Sequence, residues 1–186
     1  YALGPVCGGY GYRRGLVDHV NILASQHDLI IIHGLWQYHG LATWRALKGS
    51  SIPYCVYTHG MLDPWFKRTY PFKHLKKWLY WASFEYRVLR DAEFVFYTTE
   101  QERLLARQSF WLYQANEIVV GYGTTAPSSD SERQQQVFLD HFPHLNGKRI
   151  LLFLSRIHPK KGVDLLIEAF AVVHATNPEL RLVIAG

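Results

Sequence analysis

The sequence predicts an α/β fold with two parallel-sheet units, the first nearly complete and the second only a β-α-β opening. Short apolar runs alternate with longer segments of helical spacing. The runs at 28–32 (DLIII), 53–58 (PYCVYT) and 93–98 (EFVFYT) are apolar on both faces, as strands buried in a parallel sheet are. A polar segment at 127–136 follows, and the same alternation then starts again.

Further strands and helices complete the alternation. Residues 100–110 begin with an acidic first turn, which suits a helix start because carboxylates favour its positive dipole end. After residue 117, EIVVGYGTTAP predicts a strand that breaks at glycines. The other predicted elements are helices at 38–48 and 72–90, then the strand KRILLFLSRI, the helix GVDLLIEAFAVVHA and the strand LRLVIAG.

These elements predict the domain limits. Residues 1–126 form the first domain, without its first strand; residues 127–147 form a linker or insertion; residues 148–186 start a second domain. Two strands and one helix cannot close a core, and the chain opens without Met on the turn-rich YALGPVCGGYGY. We therefore expect the sequence to be a piece of a longer protein, truncated at both ends.

Composition narrows the class of partner without selecting one. The formal charge of +5 and pI near 9.2 indicate an anionic partner, either phosphate, nucleic acid or a membrane surface. Cys7 and Cys55 lie far apart and match no metal-ligand spacing, which favours buried thiols in a reducing compartment. No apolar run approaches the roughly 18 residues of a spanning helix, so we expect a soluble or peripheral protein.

Ligands of doubly wound sheets bind at the carboxyl ends of the strands, where loops pass into helices. Arg156 follows one predicted strand, and Lys161 and Gly162 precede the next helix, whose free N–H groups and dipole favour an anion. A diphosphate suits this combination of a planar guanidinium and a movable ammonium. A solvated basic turn is the alternative.

His59 ends the strand PYCVYT, and Gly60 lets another group approach the backbone closely. The imidazole is suited to hydrogen bonding or acid–base work in a crevice, or else is a structural histidine. His33 stands at the equivalent place after DLIII, so a His-Gly pair is not special by itself. The other strand ends supply the candidate cleft residues Gly121, Gly123 and Thr124, for which a plain turn is the alternative.

The acidic residues of the sequence do not form a recognisable catalytic pattern. Glu100 and Glu102 begin a predicted helix, where a capping role is favoured over catalysis. No paired-carboxylate, Ser-His-Asp or zinc spacing stands out, so no metal site is predicted.

The segment 65–90 is the most basic and aromatic part of the chain. Its mixture favours an anionic membrane interface, an acidic polymer or single-stranded nucleic acid. The alternative is a crossover helix whose aromatic side chains enter the core and whose lysines face water. The candidate membrane contacts are Lys67, Arg68, Lys73, Lys76, Lys77 and Trp78.

Together the strand ends resemble the retaining glycosyltransferases of the GT-B fold, family 4, also called the glycosyl transferases group 1. The resemblance is carried by GLW, by THGMLDPW, by VVGYGTT where the family commonly has a Pro-Asn-Gly turn, and above all by LSRIHPKKGVDLLIEAF. It is similar to the bacterial members that build capsular, lipopolysaccharide or exopolysaccharide sugars. It extends from about residue 8 onwards but covers only part of the family's length.

The resemblance implies two Rossmann-like domains, an acceptor-side domain followed by a nucleotide-sugar domain. Arg156 and Lys161, with Gly162, would hold the donor diphosphate, and His59 would face the donor sugar. Gly60, Gly121, Gly123 and Thr124 would line the cleft. The implied reaction is retaining hexosyl transfer to a lipid-linked or polysaccharide acceptor in cell-surface polysaccharide synthesis. The implied setting is the cytoplasm, at the inner membrane face, with no metal, cofactor or nucleic acid.

The sequence departs from the family in what it lacks. The family's late paired-glutamate motif, its base-binding loops and its first strand with the glycine-rich loop are absent. The chain alone is therefore not expected to catalyse transfer. Two other classes stay open: a nucleotide-sugar 2-epimerase, which should show cleft carboxylates, and a non-catalytic basic-aromatic module for membrane or nucleic acid.

Overall fold

A computed structural model describes residues 3–126 and 130–186. The chain divides into two compact units, the first ending at Gly123 and the second starting at Thr124. The division lies close to the boundary predicted at residue 126.

The first unit is an α/β layer structure around a sheet of four parallel strands in the order β1-β2-β3-β4. The order follows the chain, so each crossover returns to the adjacent strand and all carboxyl ends share one edge. The strands are β1 (Ile30–His33), β2 (Tyr54–Tyr57), β3 (Phe94–Tyr97) and β4 (Glu117–Val119). The helices are α1 (Leu16–Ala24), α2 (Tyr38–Leu47), α3 (Trp65–Thr69), α4 (Pro71–Tyr80), α5 (Tyr86–Arg90) and α6 (Glu100–Ala106).

The second unit contains two parallel strands in one sheet. These are β5 (Arg149–Leu154) and β6 (Leu180–Ala185), which are joined by α8 (Val163–Thr176). A further helix, α7 (Ser131–His141), precedes them, with 3-10 turns at Pro143–Leu145 and Pro159–Lys161. Apolar side chains of β5 stay exposed; Leu154, for example, is 76% accessible.

The strands confirm the predicted alternation, whereas two helices were not anticipated. Helix α1 begins after Gly15 with no side-chain cap, so the usual Ser, Thr or Asp signal for a helix start is missing. The segment 127–147 was predicted to be a linker or insertion, yet helix α7 occupies much of it. Its first three residues, 127–129, lie outside the described residues. The polar composition that suggested a linker is that of an exposed helix.

The segment predicted as one helix at 72–90 is divided by a π-helical stretch, Trp81–Glu85, between α4 and α5. Its first and last residues, Trp81 and Glu85, are each only 1% exposed. A π-helical stretch adds a residue to the turn and is frequent near functional sites. Here it brings both an indole and a carboxylate into the interior.

The core lies on the central strands. Val56 and Val95 pair in register on β2 and β3, and both are fully buried. Burying a side chain of this size stabilises the fold by about 2 kcal/mol. Trp81 stacks on Phe110 at 4.9 Å between ring centroids and closes one side of the same cluster.

Glu85 is the buried carboxylate of this core. One oxygen accepts a 3.0 Å hydrogen bond from the backbone N–H of Trp36. Burial raises the pKa of Glu85 to about 7, although the Trp36 bond, Tyr80 and Lys77 favour the ionised form. The side chain therefore carries a proton in the folded protein at pH values below about 7.

Candidate active site

The carboxyl ends of β2 and β3 are joined by a single carboxylate, that of Glu102 in α6. One oxygen accepts hydrogen bonds of 2.7 Å from the Thr58 hydroxyl and from the Gly60 N–H. The other accepts from the N–H of Thr98 at 2.8 Å and from its hydroxyl at 2.7 Å. Partial burial raises the pKa of Glu102, but these hydrogen bonds outweigh it and leave the pKa below its ordinary value.

Helix α6 was predicted to begin with capping carboxylates, but a different residue supplies the cap. The Thr99 hydroxyl accepts from the Glu102 N–H at 3.1 Å. Glu100 is exposed and pairs with Arg103. Glu102 therefore holds two strand ends in place, a role that its position at a helix start did not indicate.

The loop after β2 is held in an unusual backbone conformation. His59 has φ 51° and Gly60 has φ 71°, so both lie in the left-handed region. That conformation costs a non-glycine residue roughly 1 kcal/mol. The hydrogen bond from the Gly60 N–H to the Glu102 carboxylate stabilises this turn. The His59 side chain at the turn is exposed.

His59 belongs to an aromatic stack of four rings, made of His33, Tyr57, His59 and Tyr122. His33 and Tyr57 lie 5.4 Å apart and only 8° from parallel. His59 and Tyr122 lie 5.8 Å apart at 9°. The stack contains side chains from the ends of β1 and β2 and from the loop after β4.

Both ring nitrogens of His59 are hydrogen bonded. Its Nε2 lies 3.0 Å from Nδ1 of His33, and its Nδ1 bonds the Tyr122 hydroxyl. In the neutral arrangement, Tyr122 donates to Nδ1 and the Nε2–H of His59 donates to His33. A new partner of His59 must therefore displace Tyr122 or His33.

The two candidate glycines beside Tyr122 have no conformational need to be glycine. Neither Gly121 nor Gly123 has positive φ, and a Cβ at either would meet nothing within 4 Å. Thr124, the third candidate of this loop, is exposed at the start of the second unit. Tyr122, between the two glycines, makes the contact with His59 and was not predicted from the sequence to be a site residue.

In the second unit, the predicted anion site lies on the loop between β5 and α8. Arg156 and Lys161 are exposed, and neither side chain forms an ion pair within 3–126 and 130–186. Gly162 has φ 64° and is the N-cap of α8, with no side chain capping the first turn. The amide groups at the start of this helix are thus open to an anion.

The six candidate membrane contacts differ in exposure. Lys67, Arg68, Lys73 and Lys76 are exposed, whereas Lys77 and Trp78 are half-buried. Trp78 packs against the core, and the Lys77 ammonium lies 4.6 Å from the ring centre of Trp36. The outer face of α4 is instead apolar and carries Phe72, Leu75 and Leu79, which are 89%, 60% and 59% exposed.

The segment was alternatively predicted to be a crossover helix with its aromatic side chains in the core and its lysines in water. Helix α4 fits this description only in part. Residues 72, 75 and 79 share one helical face, so that face presents hydrocarbon to solvent. None of the helices in the described parts of the chain is long and apolar enough to cross a membrane.

The model of the glycosyl transferase 4-like domain matches residues 4–123, well over half of the chain. The chain belongs to this glycosyltransferase family. The model of the glycosyl transferases group 1 matches residues 136–186 and includes the loop with Arg156 and Lys161. The resemblance identified from the strand-end motifs is confirmed.

A solved structure is similar to this glycosyltransferase chain: that of HepE from Anabaena in complex with UDP-glucose. The TM-score is 0.56 and the identity 19%, over 90% of this chain and 42% of that chain. At this identity the likeness concerns the fold, which is the predicted GT-B type. The chain spans less than half of that relative's length. Among curated proteins, none matches in sequence.

Replacing Glu102 tests its role at the strand ends. In Glu102→Gln, the amide NH2 cannot accept a hydrogen bond, so the partly buried backbone N–H of Gly60 or of Thr98 loses its acceptor. We expect a loss of about 1–3 kcal/mol in the free energy of unfolding, measured by urea denaturation. Glu100→Gln, in the same helical turn but exposed, should leave the midpoint nearly unchanged. Equal effects of the two changes would contradict the role of Glu102.

Proposed function

We propose that this chain is part of a retaining hexosyltransferase that uses a nucleoside-diphosphate sugar and a lipid-linked or polysaccharide acceptor. In the reaction, the bond between the anomeric carbon and the diphosphate breaks and its electron pair leaves with the diphosphate. The acceptor oxygen bonds the anomeric carbon, and the proton of the acceptor hydroxyl is released to solvent. The proposed setting is cell-surface polysaccharide synthesis on the cytoplasmic face of the membrane.

The observation that carries the proposal is the open basic loop between β5 and α8. As the donor bond breaks, the leaving diphosphate gains negative charge. Cations and helix N–H groups already in place stabilise that charge more in the transition state than in the ground state. Arg156, Lys161 and the uncapped start of α8 form such a set without a metal or cofactor.

His59 is proposed to contact the donor sugar. Its ring is exposed, and hydrogen bonds on both nitrogens fix its orientation. Because Tyr122 occupies Nδ1 and is itself 56% exposed, a sugar hydroxyl can take its place without disturbing the core. His33 then serves as a positioning residue for His59.

Association with an anionic membrane surface is supported by α4 and its neighbour α3. Exposed Phe72, Leu75 and Leu79 offer hydrocarbon for the bilayer interface. The exposed cations beside them add about 1 kcal/mol each near an anionic surface. These cations are Lys67, Arg68, Lys73 and Lys76. No nucleic-acid partner is proposed.

Substitutions in the basic loop test donor binding. In the protein encoded by the complete reading frame, Arg156→Ala and Lys161→Ala should each lower sugar transfer by roughly 100-fold or more, because leaving-group stabilisation is lost. Transfer is measured with a panel of nucleoside-diphosphate sugars. Lys160→Ala is the matched control in the same loop, and its rate should change little. Near-normal turnover in both Arg156→Ala and Lys161→Ala would refute the assignment.

A pair of substitutions separates the roles of His59 and Tyr122. His59→Ala should lower kcat/KM for the donor by roughly 100-fold if the imidazole acts near the reacting sugar. Tyr122→Phe keeps the ring but frees Nδ1 of His59, so the donor KM should fall by roughly 5-fold, the value of one hydrogen bond. A matching loss of activity in Tyr122→Phe would instead make Tyr122 a participant.

The apolar face of α4 is tested by vesicle co-sedimentation. Phe72→Ser with Leu75→Ser removes side chains worth about 2 kcal/mol each on burial, so binding to anionic vesicles should fall by well over 10-fold. Leu104→Ser on α6, also exposed, is the control and should bind normally. Unchanged sedimentation of the double variant would remove the membrane role of α4.

A further inference from the structure

A recess of about 440 Å³ lies between the N-terminal loop and α4, and none of its lining residues belongs to the aromatic stack. Its walls come from three parts of the first unit: the turn before α1, the loop after β1, and one side of α4. The lining residues are Gly9, Tyr10, Trp36, Lys73, Lys76, Lys77 and Tyr80.

The walls of the recess are held together by hydrogen bonds and ring contacts. The hydroxyls of Tyr10 and Tyr80 lie 2.7 Å apart, and their rings meet edge to face at 5.6 Å. The carbonyl of Tyr10 accepts a 2.9 Å bond from the N–H of Tyr38 at the start of α2. The recess is therefore formed before any ligand arrives, which lowers the entropic cost of binding.

Trp36 is the strained element of the recess. Its φ of 71° places a bulky residue in the left-handed region, where such residues are genuine outliers. The backbone is fixed there by the bond from its N–H to buried Glu85. Its indole Nε1 is buried and has no hydrogen-bond acceptor among the described residues. The rigid placement of Trp36 fixes one wall of the recess, which the indole ring lines.

The charge of the recess is one-sided. Lys73, Lys76 and Lys77 line it, and none of the lining residues that the structure describes is a carboxylate. In the described ranges, none of the three lysines forms an ion pair. Glu85, which accepts a hydrogen bond from the Trp36 backbone N–H, has a pKa of about 7, so at neutral pH it carries only part of a negative charge and offsets the lysines only in part. The recess is thus built for an anion.

We propose that this recess binds the phosphate group of an alkyl phosphate, the head of a lipid-linked acceptor. The three lysines supply donors for phosphate oxygens, whereas none of the described lining residues is a carboxylate that could orient the hydroxyls of a neutral sugar. The aromatic walls accept the first methylene groups of the chain. The inference rests on the proposed glycosyltransferase function.

The position of α4 connects the recess to hydrocarbon. The helix that supplies the three lysines also carries exposed Phe72, Leu75 and Leu79. An alkyl chain that leaves the recess meets this apolar face, or the bilayer on which the face lies. A free phosphate would gain nothing from it, so a lipid source is favoured over inorganic phosphate.

Binding is tested on the 186-residue chain with octyl phosphate below its micelle concentration. Titration calorimetry gives the affinity, and the indole N–H signal of Trp36 in ¹H–¹⁵N spectra, assigned through Trp36→Phe, reports the site. We expect saturable binding with a shift of that signal. Inorganic phosphate should bind at least 10-fold more weakly, and uncharged octyl glucoside should not shift the signal.

Lysine substitutions locate the charge. Lys76→Met and Lys77→Met should each weaken octyl phosphate binding by roughly 10-fold, as expected for a charge-assisted contact. Lys48→Met is the matched control, because its ammonium also lies over a tryptophan, Trp44, but beside a recess lined by Asp91 and Glu93. Equal weakening in Lys48→Met, or none in Lys76→Met and Lys77→Met, overturns the proposal. Tight binding of inorganic phosphate overturns the lipid part of it.

Octyl phosphate binding and sugar transfer together separate a failure of the proposed phosphate site from a failure of the proposed function. If octyl phosphate binds as expected but the complete protein transfers no sugar to any lipid phosphate acceptor, the proposed function fails and the anion site remains. If transfer occurs and the acceptor KM is unchanged in Lys76→Met and Lys77→Met, the function holds and the recess is not the acceptor site.

Discussion

The candidate site of the first unit depends on the carboxylate of Glu102. Parallel strands bring their carboxyl ends to one edge, but the loops that leave them have no ladder hydrogen bonds of their own. Glu102 supplies acceptors for the loops after both β2 and β3 and so fixes the left-handed turn at His59. The orientation of the aromatic stack follows from that turn. The Glu102 carboxylate thus positions the loops that carry the candidate site at the edge of the sheet.

Much of the fold could be predicted because the relevant signals are local. A parallel strand buried on both faces is apolar throughout, as the runs at β2 and β3 are; the run at β1 is equally apolar, although it lies at the edge of the sheet with Ile31 45% exposed. The loop with Arg156 and Lys161 was found for the same reason, since the end of a strand and the start of a helix are both visible in sequence. Helix α1 was missed because Gly15 gives no capping signal.

The contacts of the site were harder to predict because they join residues distant in sequence. Tyr122 lies 63 positions from His59, and no periodicity relates the two. The glycines on either side of Tyr122 suggested a loop whose backbone lies close to a ligand. Neither position requires glycine, because a Cβ at either would meet nothing within 4 Å. Glu102 looked like a helix cap because its sequence position allows that role; only the fold places Thr58 within its reach.

The buried carboxylate of Glu85 has a consequence for how folding exchanges protons with solvent. In an unfolded chain a glutamate is largely ionised above pH 5, whereas in the folded protein this one stays protonated until about pH 7. Near pH 6 the chain therefore takes up a proton at this residue as it folds and releases it on unfolding. The calorimetric enthalpy of unfolding will then contain the heat with which the buffer accepts that proton, so phosphate and imidazole buffers should give different values for the same transition.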